Sequence, residues 1–442
     1  MLKRVTAPKE IPNVGIPVGK AAFPSPFASG LEYASPARGT WNIVHTGMLI
    51  PEAHEIFVCA ASCLRGVVLT AAELGAAHRF STVEVRENNL LDGDMEELVI
   101  EGVSDIIRKL PTKPPAVLVY TSCVHHFAGC DLDMIYAELR RRFPDIDFAD
   151  CYMNPIMRKS GLTPDQLMRS RLYFPLKPRP IRSDVVSVIG NDFSLAADTD
   201  VMALLTKNGF TVRQITECNT YAEYQQMAES AFYISCYPSA VAGGDMLAQR
   251  MGARHIYVPY SYDFDEIEAG LCRLASALGV PAPDFSGKRE QCAESLKQTL
   301  AVVGDRPIAI DYTFCPRPLG LAKLLLSAGF NVRRVYLDAI TGEEKAALAY
   351  LKAHYPDLLL YPTVHAAMRF HGAKEPSDWL AIGQKAAHFT NTEHFVNIVE
   401  GGGMLGYQAV LGTLARMREA VSERKDLRKL IQIKGMGCEG CI

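Results

Sequence analysis

Hydrophobic residues along this chain occur in two alternating patterns. Short apolar runs bounded by small or turn-forming residues predict buried strands, and longer amphipathic segments between them predict helices. In the N-terminal part of the chain the predicted strands are Ile56–Val58, Ser81–Val85 and Ala116–Tyr120. The predicted helices there are Leu69–His78, Met95–Leu110 and Leu132–Phe143. This alternation is typical of a parallel sheet with helices on its faces.

The same alternation recurs twice more along the chain. A second series predicts strands at Asp184–Gly190, Thr211–Ile215, Phe232–Cys236 and His255–Val258. A third series predicts strands at Pro307–Asp311, Val332–Leu337 and Leu358–Tyr361. Repeated units of similar order predict an α/β protein with three Rossmann-like domains, each a parallel sheet flanked by helices. The predicted divisions are an extended N-terminal arm (1–39), three α/β domains (40–181, 182–303 and 304–400) and a C-terminal helix with a Cys-containing tail (401–442).

Composition narrows the possible functions. The 442 residues are 48% hydrophobic and 21% charged, as in ordinary globular proteins. The net charge is -3 and no long basic run occurs, so nucleic-acid binding is not expected. No apolar stretch reaches the roughly 18 residues of a membrane helix, and no secretory signal is evident. We therefore expect a cytoplasmic protein.

Three of the twelve cysteines follow predicted strands. Cys59 and Cys63 come at the end of the first apolar run, and Cys123 follows the run Ala116–Tyr120, in each case where a loop is predicted. Ligands bind at the carboxyl ends of strands in open α/β sheets, and thiolates suit soft metals or iron–sulfur clusters. A simple cluster takes four cysteines, so three in one chain fit a cluster shared between chains or completed by another residue, with Cys130 the nearest spare thiol. The alternative is that they are small buried hydrophobes.

The remaining cysteines carry weaker signals. Cys236 also ends a predicted strand, before a Gly-containing loop, where a thiolate could anchor a cofactor or simply pack. Cys438 and Cys441 have the spacing of a thiol–disulfide couple or half a zinc site, but no second pair accompanies them. The Gly-rich turn at Gly401–Gly403 lacks the P-loop pattern, so we do not expect this chain to hydrolyse ATP.

The order of the cysteine-bearing segments resembles a known family. Cys63 is followed by LLDGDMEEL (residues 90–98), by YTSC ending at Cys123 and by GCD (residues 129–131). This order is similar to the large-subunit family of nitrogenase component 1. That family shows a Gly-rich stretch ending in Cys, an acidic Gly-containing turn before a helix, and a T-x-C-x(5)-G-D-D segment. The resemblance runs from about Thr40 to the last helix, and implies three Rossmann-like domains in which Cys63 and Cys123 are cluster ligands.

Several positions depart from that family's pattern. Thr40–Trp41 stand near the position of the earliest cluster cysteine, for which Cys59 would substitute. Cys130 replaces the first Asp of the usual GDD. Cys236 falls where the α-type subunit has its catalytic cofactor's Cys ligand, whereas Met404–Leu405 stand where the cofactor's His ligand would fall. The chain thus resembles the nitrogenase-like reductases, which include methylthio-alkane reductases and tetrapyrrole-reducing enzymes, rather than a true dinitrogenase.

The resemblance implies a function and partners. The chain would be an oxidoreductase subunit that takes low-potential electrons from an ATP-dependent iron–sulfur reductase. The electrons would pass through an iron–sulfur cluster (4Fe–4S, or P-cluster-like with eight irons) held by Cys59, Cys63 and Cys123. They would reduce a small molecule, such as a methylthio-alkane by C–S cleavage, at a larger nitrogenase-type iron–sulfur cofactor. The partner would be a paralogous component 1 subunit in a heterotetramer, or the same chain in a homodimer.

Alternatives to this function stay open at the level of sequence. The absent His ligand fits a scaffold subunit that holds an iron–sulfur cofactor during its assembly. A non-catalytic subunit needed only for a shared cluster, and a subunit of a tetrapyrrole reductase, are the others.

Overall fold

The structure is a computed structural model that describes residues 13–37, 39, 42–153, 162–371 and 377–430. Cys438, Cys441 and most of the segment 151–161 lie outside these residues. The described residues fall into two compact units. The central unit is formed from 41–194 and 205–259, and the C-terminal unit from 1–40, 195–204 and 260–442.

The first sheet lies in the central unit and has the strand order β3-β2-β4-β5, with every pair parallel. The elements of this part of the chain, preceded by a short strand of the N-terminal arm, are β1 (Ile16–Pro17), α1 (Ile43–Gly47), β2 (His54–Ala60), α2 (Ala61–Glu73), β3 (Phe80–Val85), α3 (Glu87–Asp92), α4 (Met95–Lys109), β4 (Ala116–Ser122), α5 (Cys123–Ala128), α6 (Leu132–Arg142), β5 (Asp147–Met153) and α7 (Pro164–Arg171).

The second sheet also lies in the central unit, with the order β7-β6-β8-β9 and parallel pairing throughout. Its elements are β6 (Arg182–Ile189), α8 (Asp200–Lys207), β7 (Thr211–Gln214), α9 (Tyr221–Gln226), β8 (Ser230–Ser235), α10 (Val241–Met251) and β9 (Arg254–Tyr257). The first five residues of α8 are assigned to the C-terminal unit.

The third sheet lies in the C-terminal unit and has the order β1-β12-β11-β10-β13-β14. Its elements are α11 (Phe264–Leu278), α12 (Lys288–Val303), β10 (Ile308–Asp311), α13 (Pro318–Ser327), β11 (Val332–Tyr336), α14 (Lys345–His354), β12 (Leu359–Tyr361), β13 (Leu380–Ile382), α15 (Gln384–Thr390), β14 (Phe395–Val396) and α16 (Tyr407–Ser422). The arm adds β1 as an antiparallel edge strand along β12, so the described part of the arm lies on this sheet.

The predicted fold class is confirmed: the chain is an α/β protein with parallel sheets and flanking helices. The predicted loops after the first and third strands are wrong. Ala61–Glu73 is helical, and so is Cys123–Ala128, because the chain turns directly from strand to helix. The strand Asp147–Met153 and the helix Phe264–Leu278 were not predicted. None of the described helices is long and apolar enough to cross a membrane.

The first sheet is buried on both faces. Along β2, Phe57 and Cys59 pack on one side, and Ile56 and Val58 on the other, and all four are fully buried. Phe57 stacks on Tyr120 of the neighbouring strand with their ring centroids 4.0 Å apart. A strand buried on both faces is an apolar run rather than an alternating one, which is why the sequence pattern located β2 and β4.

A buried carboxyl group lies beneath this stack. Glu55 is fully buried, and burial raises the pKa of its carboxyl group well above the usual value. The Tyr120 hydroxyl lies within hydrogen-bond distance of two acceptors, the Ile43 carbonyl at 3.2 Å and Glu55 Oε1 at 3.4 Å. Gly47 closes the space from α1, because a Cβ atom there would overlap both the Glu55 carboxyl and the Tyr120 hydroxyl.

The Gly47→Ala substitution is therefore expected to destabilise the chain by about 1–3 kcal/mol, since neither buried neighbour has room to move. The matched control is Gly66→Ala in α2, where nothing lies within 4 Å of the added methyl group. That variant is expected to gain up to about 1 kcal/mol from helix propensity. Chemical denaturation of the metal-free variants measures both. Equal stability of the two variants would contradict the close packing around Gly47.

Candidate functional site

The first sheet has its topological switch point between β2 and β4. The chain leaves β2 for β3 on one side and later adds β4 on the other side, so the connections diverge. In open α/β sheets, ligands bind in the crevice that this divergence leaves at the strands' carboxyl ends. Cys59 is the penultimate residue of β2, and Cys123 directly follows β4. The parallel register places Val58 beside Thr121, so these two distant cysteines emerge at the same place.

Cys63 reaches the same edge from the helix that follows β2. Because α2 begins at Ala61, immediately after the strand, Cys63 lies in its first turn, where it is exposed. Cys59 lies instead at the buried end of the strand. Cys123 is the first residue of α5 and is partly buried. The three thiols thus run from the interior of the sheet to the protein surface.

The thiols are near enough to influence one another electrostatically. Burial, followed by the negative charges that Cys63 and Cys123 would carry, raises the pKa of Cys59 to about 12. The Cys59 sulfur is therefore a neutral thiol in the free chain. Within the described residues, no group of three or more His, Cys, Asp or Glu side chains could hold a single metal ion.

A buried imidazole beside Cys123 has an unused donor. His125 is 1% exposed, and its Nδ1 accepts the Ser122 backbone N–H at 3.2 Å, so the ring proton is on Nε2. Burial lowers the pKa of His125, which keeps the ring neutral. Nε2 has no hydrogen-bond partner in the described part of the chain. His125 lies two residues after Cys123, and a buried donor without an acceptor among the described residues fits a bound group with acceptor atoms such as cluster sulfides.

The surface around α5 is apolar. Phe127 is 71% exposed and Leu91 is 84% exposed, although both are large hydrophobic side chains. Phe127, with Val124 of the same helix and Leu90 of α3, lines an open groove that also contains Cys130. Cys130 lies beside Glu96, and burial is the main cause that raises the pKa of its thiol. Exposed apolar surface of this kind marks an interaction site.

The second sheet places Cys236 at its own switch point, between β6 and β8. Cys236 follows Ser235, the last residue of β8, which pairs with Ile189 at the end of β6. The thiol is fully buried, and burial raises its pKa to about 12. Cys236 belongs to a different sheet from Cys59, Cys63 and Cys123. The domains predicted from the sequence also separate Cys236 (in 182–303) from those three cysteines (in 40–181).

The third sheet has its switch point between β10 and β13, and charged residues occupy it. Asp311 ends β10 and is fully buried, where its Oδ2 accepts the Ala386 backbone N–H at 2.5 Å. Lys385, in the first turn of α15, is 7% exposed, and burial lowers its pKa against the attraction of Asp311 and Asp338. Sequence reasoning missed Lys385 because no motif surrounds it. The strand Leu380–Ile382, which precedes Lys385, was not predicted either.

Comparisons with known proteins agree with this architecture. Residues 46–421 match the family described as "Nitrogenase component 1 type Oxidoreductase". A solved structure of "Nitrogenase Cp1 at pH 6.5" is similar, with a TM-score of 0.64 and 13% identity over 89% of this chain and 94% of that chain. A structure of "Nitrogenase Cp1 at pH 5" gives a TM-score of 0.58 and 12% identity over 92% and 93%.

Identities this low establish only that the fold is shared. No curated protein sequence matches the chain significantly. The family match, however, extends over most of the chain and includes every strand of the three sheets except the edge strand β1. The chain therefore belongs to the nitrogenase component 1 type oxidoreductase family.

Proposed function

We propose that this chain is the electron-accepting subunit of a nitrogenase-like reductase. The observation that carries the proposal is the convergence of Cys59, Cys63 and Cys123 at the switch point of the first sheet. The helix that Cys123 begins also carries His125, whose Nε2 has no acceptor in the described part of the chain. Members of the family bind iron–sulfur clusters and work with a separate reductase. The chain itself lacks a P-loop motif, so ATP would be hydrolysed by that reductase.

The three thiolates would hold an iron–sulfur cluster, which supplies low-potential electron transfer when bound. Cys59 would anchor it from the sheet interior, and Cys63 would bind it from the exposed turn of α2. His125 Nε2 would donate to a cluster sulfur, and such hydrogen bonds raise the reduction potential. Three cysteines are one fewer than a simple cluster uses, so a partner chain would supply the rest.

The apolar surface around α5 supports a partner at the same place. Exposed Leu91 and Phe127 would be covered by a second component 1 type subunit, either identical or paralogous. The exposed position of Cys63 is consistent with a cluster that lies at this boundary. The choice between a homodimer and a heterotetramer depends on that partner.

We propose that the reaction is the reductive cleavage of a small thioether, such as a methylthio-alkane. Two electrons and two protons convert the carbon–sulfur bond into a C–H bond and a thiol, and the electrons come from the reductase. Cys236 would anchor the larger cofactor at the second sheet. Its complete burial would keep water away from that site.

One observation favours a second candidate function, an assembly scaffold. Met404 and Leu405 are buried apolar residues that stand where the family's catalytic subunit has a His ligand. A cofactor with one ligand fewer would dissociate more readily, which suits transfer to another protein. A scaffold would bind the cluster without turning over a substrate.

Anaerobic purification with the reductase and the partner subunit separates these functions. The reductase proposal predicts iron in the complex and thioether cleavage that requires ATP. A fully loaded complex that releases no product from thioether or tetrapyrrole substrates, but transfers its cofactor to another subunit, would support the scaffold. A chain that contains no iron would refute both.

The Cys63→Ala and Cys123→Ala variants are each expected to lose most of the bound iron, because each removes a thiolate ligand. Cys272→Ala is the matched control, since Cys272 is also exposed but lies on α11. Iron analysis per chain and the visible absorption of the cluster measure the effect. Unchanged iron in Cys63→Ala would show that Cys63 is not a ligand.

The three thiols should also differ in reactivity when the metal is removed. Iodoacetamide should alkylate exposed Cys63 first and Cys59 last. Raising the pKa of Cys59 from 9.0 to about 12 lowers its thiolate fraction at pH 8 by roughly a thousandfold. The rate at Cys59 should therefore increase with pH throughout the range in which the chain stays folded.

Mass spectrometry of the labelled peptides measures these rates. Unfolding in guanidinium is the control and should make the two sites react alike. The iron-loaded protein should protect all three thiols. Equal rates at Cys59 and Cys63 in the folded, metal-free chain would contradict the buried position of Cys59.

A further inference from the structure

Asn191 has a buried side-chain amide that makes no hydrogen bond within the described part of the chain. Its side chain is 4% exposed, and neither Nδ2 nor Oδ1 has a hydrogen-bond partner among the residues that the structure describes. An asparagine side chain can donate two hydrogen bonds and accept two, so this amide leaves its whole capacity unused. Buried polar groups in native proteins are nearly always completed by protein, water or a ligand.

The residues on either side of Asn191 are held firmly. Arg169 donates to the Gly190 carbonyl at 2.7 Å and to both carboxylate oxygens of Asp192, at 3.0 and 2.9 Å. The Gly190 backbone N–H donates to the Tyr173 hydroxyl at 2.7 Å. The hydrogen bonds of Gly190 and Asp192 thus fix the backbone on both sides of Asn191, although the Asn191 amide itself makes none with the described residues.

The position of this loop is the switch point of the second sheet. Asn191 comes two residues after Ile189, which pairs with Ser235, and Cys236 comes directly after Ser235. Gly190 has a φ of +75° and packs so closely on Ala240 that a side chain would not fit between them. The loops that carry Asn191 and Cys236 are therefore in contact, at the edge where α/β sheets bind ligands.

Other polar groups at this edge are satisfied. Ser235 and His255 Nε2 are 2.8 Å apart, and His255 Nδ1 is 2.7 Å from Asp245. This connectivity is that of a Ser-His-Asp triad, but Ser235 is completely buried, so no substrate can reach it. The triad is a structural network. At the same edge of the sheet, Ser235, His255 and Asp245 are hydrogen-bonded to one another, whereas the Asn191 amide has no partner among the described residues.

We propose that the Asn191 carboxamide binds the iron–sulfur cofactor that the Cys236 thiolate anchors, with Nδ2 donating to a sulfide or oxygen acceptor of that cofactor. This inference rests on the proposed function, because it requires a cofactor at Cys236. The amide would orient the cofactor and stabilise its reduced, more negative state. The ligand is a group with acceptor atoms, because the Asn191 Nδ2 group has two N–H donors and no acceptor among the described residues.

The test uses Asn191→Leu and Asn191→Ala in the full chain, purified with its partner and also prepared metal-free. Replacing an unpartnered amide by an apolar group costs no hydrogen bond, so Tm of the metal-free Asn191→Leu variant should equal or exceed that of the wild type. Asn191→Ala is the second variant, because alanine is smaller than asparagine and removes the amide without a steric clash if leucine does not fit. Ser187→Ala is the control, because Ser187 on β6 is buried and bonded to Ser230 at 2.8 Å. Its Tm should fall by about 2–4 °C.

Cofactor binding is the second measurement. The iron that Cys236→Ala loses, relative to the wild type, defines the cofactor at this site. Both Asn191 variants should lose at least part of that iron or bind it with a changed electron paramagnetic resonance spectrum. Loading should also raise their Tm by less than it raises that of the wild type.

Four outcomes would overturn the inference. If both metal-free Asn191 variants melt well below the wild type, the amide has a structural role. If both bind the same iron with the same spectrum as the wild type, the amide holds only an ordered water. If Cys236→Ala loses no iron while Cys63→Ala does, this inference fails and the cluster proposed at the first sheet stands. If neither variant loses iron, the proposed function fails with it.

Discussion

The parallel pairing of β2 with β4 is the constraint on which the candidate site depends. Val58 lies beside Thr121, and this register brings Cys59 and Cys123 together from far apart in the chain. A shift of one residue along either strand would turn every side chain of that strand to the opposite face of the sheet. The register is strongly specified because both faces of β2 are buried, with Phe57 stacked on Tyr120 on one side.

The same constraint explains why the three thiols differ so much in exposure. The sheet interior ends near Cys59, whereas the first turn of α2 carries Cys63 to the surface. Because Cys59 is buried and Cys63 is exposed, the three thiols reach the protein surface, where a partner chain could add further ligands. The neighbouring apolar side chains of Leu91 and Phe127 belong to that same surface.

Each of the three sheets has a switch point, and each switch point carries a different chemistry. The first has thiols, the second has the buried Cys236 thiol with the unpartnered Asn191 amide, and the third has Asp311 and Lys385. The repetition follows from one topological rule, since diverging connections leave a crevice wherever the strand order reverses. The side chains in each crevice then decide whether it suits a soft metal, a hydrogen-bonding ligand or a charged group.

The local hydrophobic pattern of the sequence explains which strands could be predicted. Strands such as Ala116–Ser122 were found because a strand buried on both faces is a continuous apolar run. The strand Asp147–Met153 was missed because Asp147 and Asp150 interrupt its apolar pattern. Those aspartates are stabilised by tertiary partners, including the Tyr221 hydroxyl at 2.8 Å and Arg171 at 3.1 Å, which no local pattern reveals.

The sequence by itself determined the α/β class, the positions of most strands and the arrival of cysteines at strand ends, because hydrophobic periodicity is a local property. Its motif order also indicated the family, which the match to residues 46–421 confirms. Only the tertiary structure decided which strand ends are neighbours, that Cys63 lies on a helix, and that His125 Nε2 and the Asn191 amide have no partner among the described residues. Strand order, register and burial arise from contacts between distant segments, and the sequence of any one segment does not contain them.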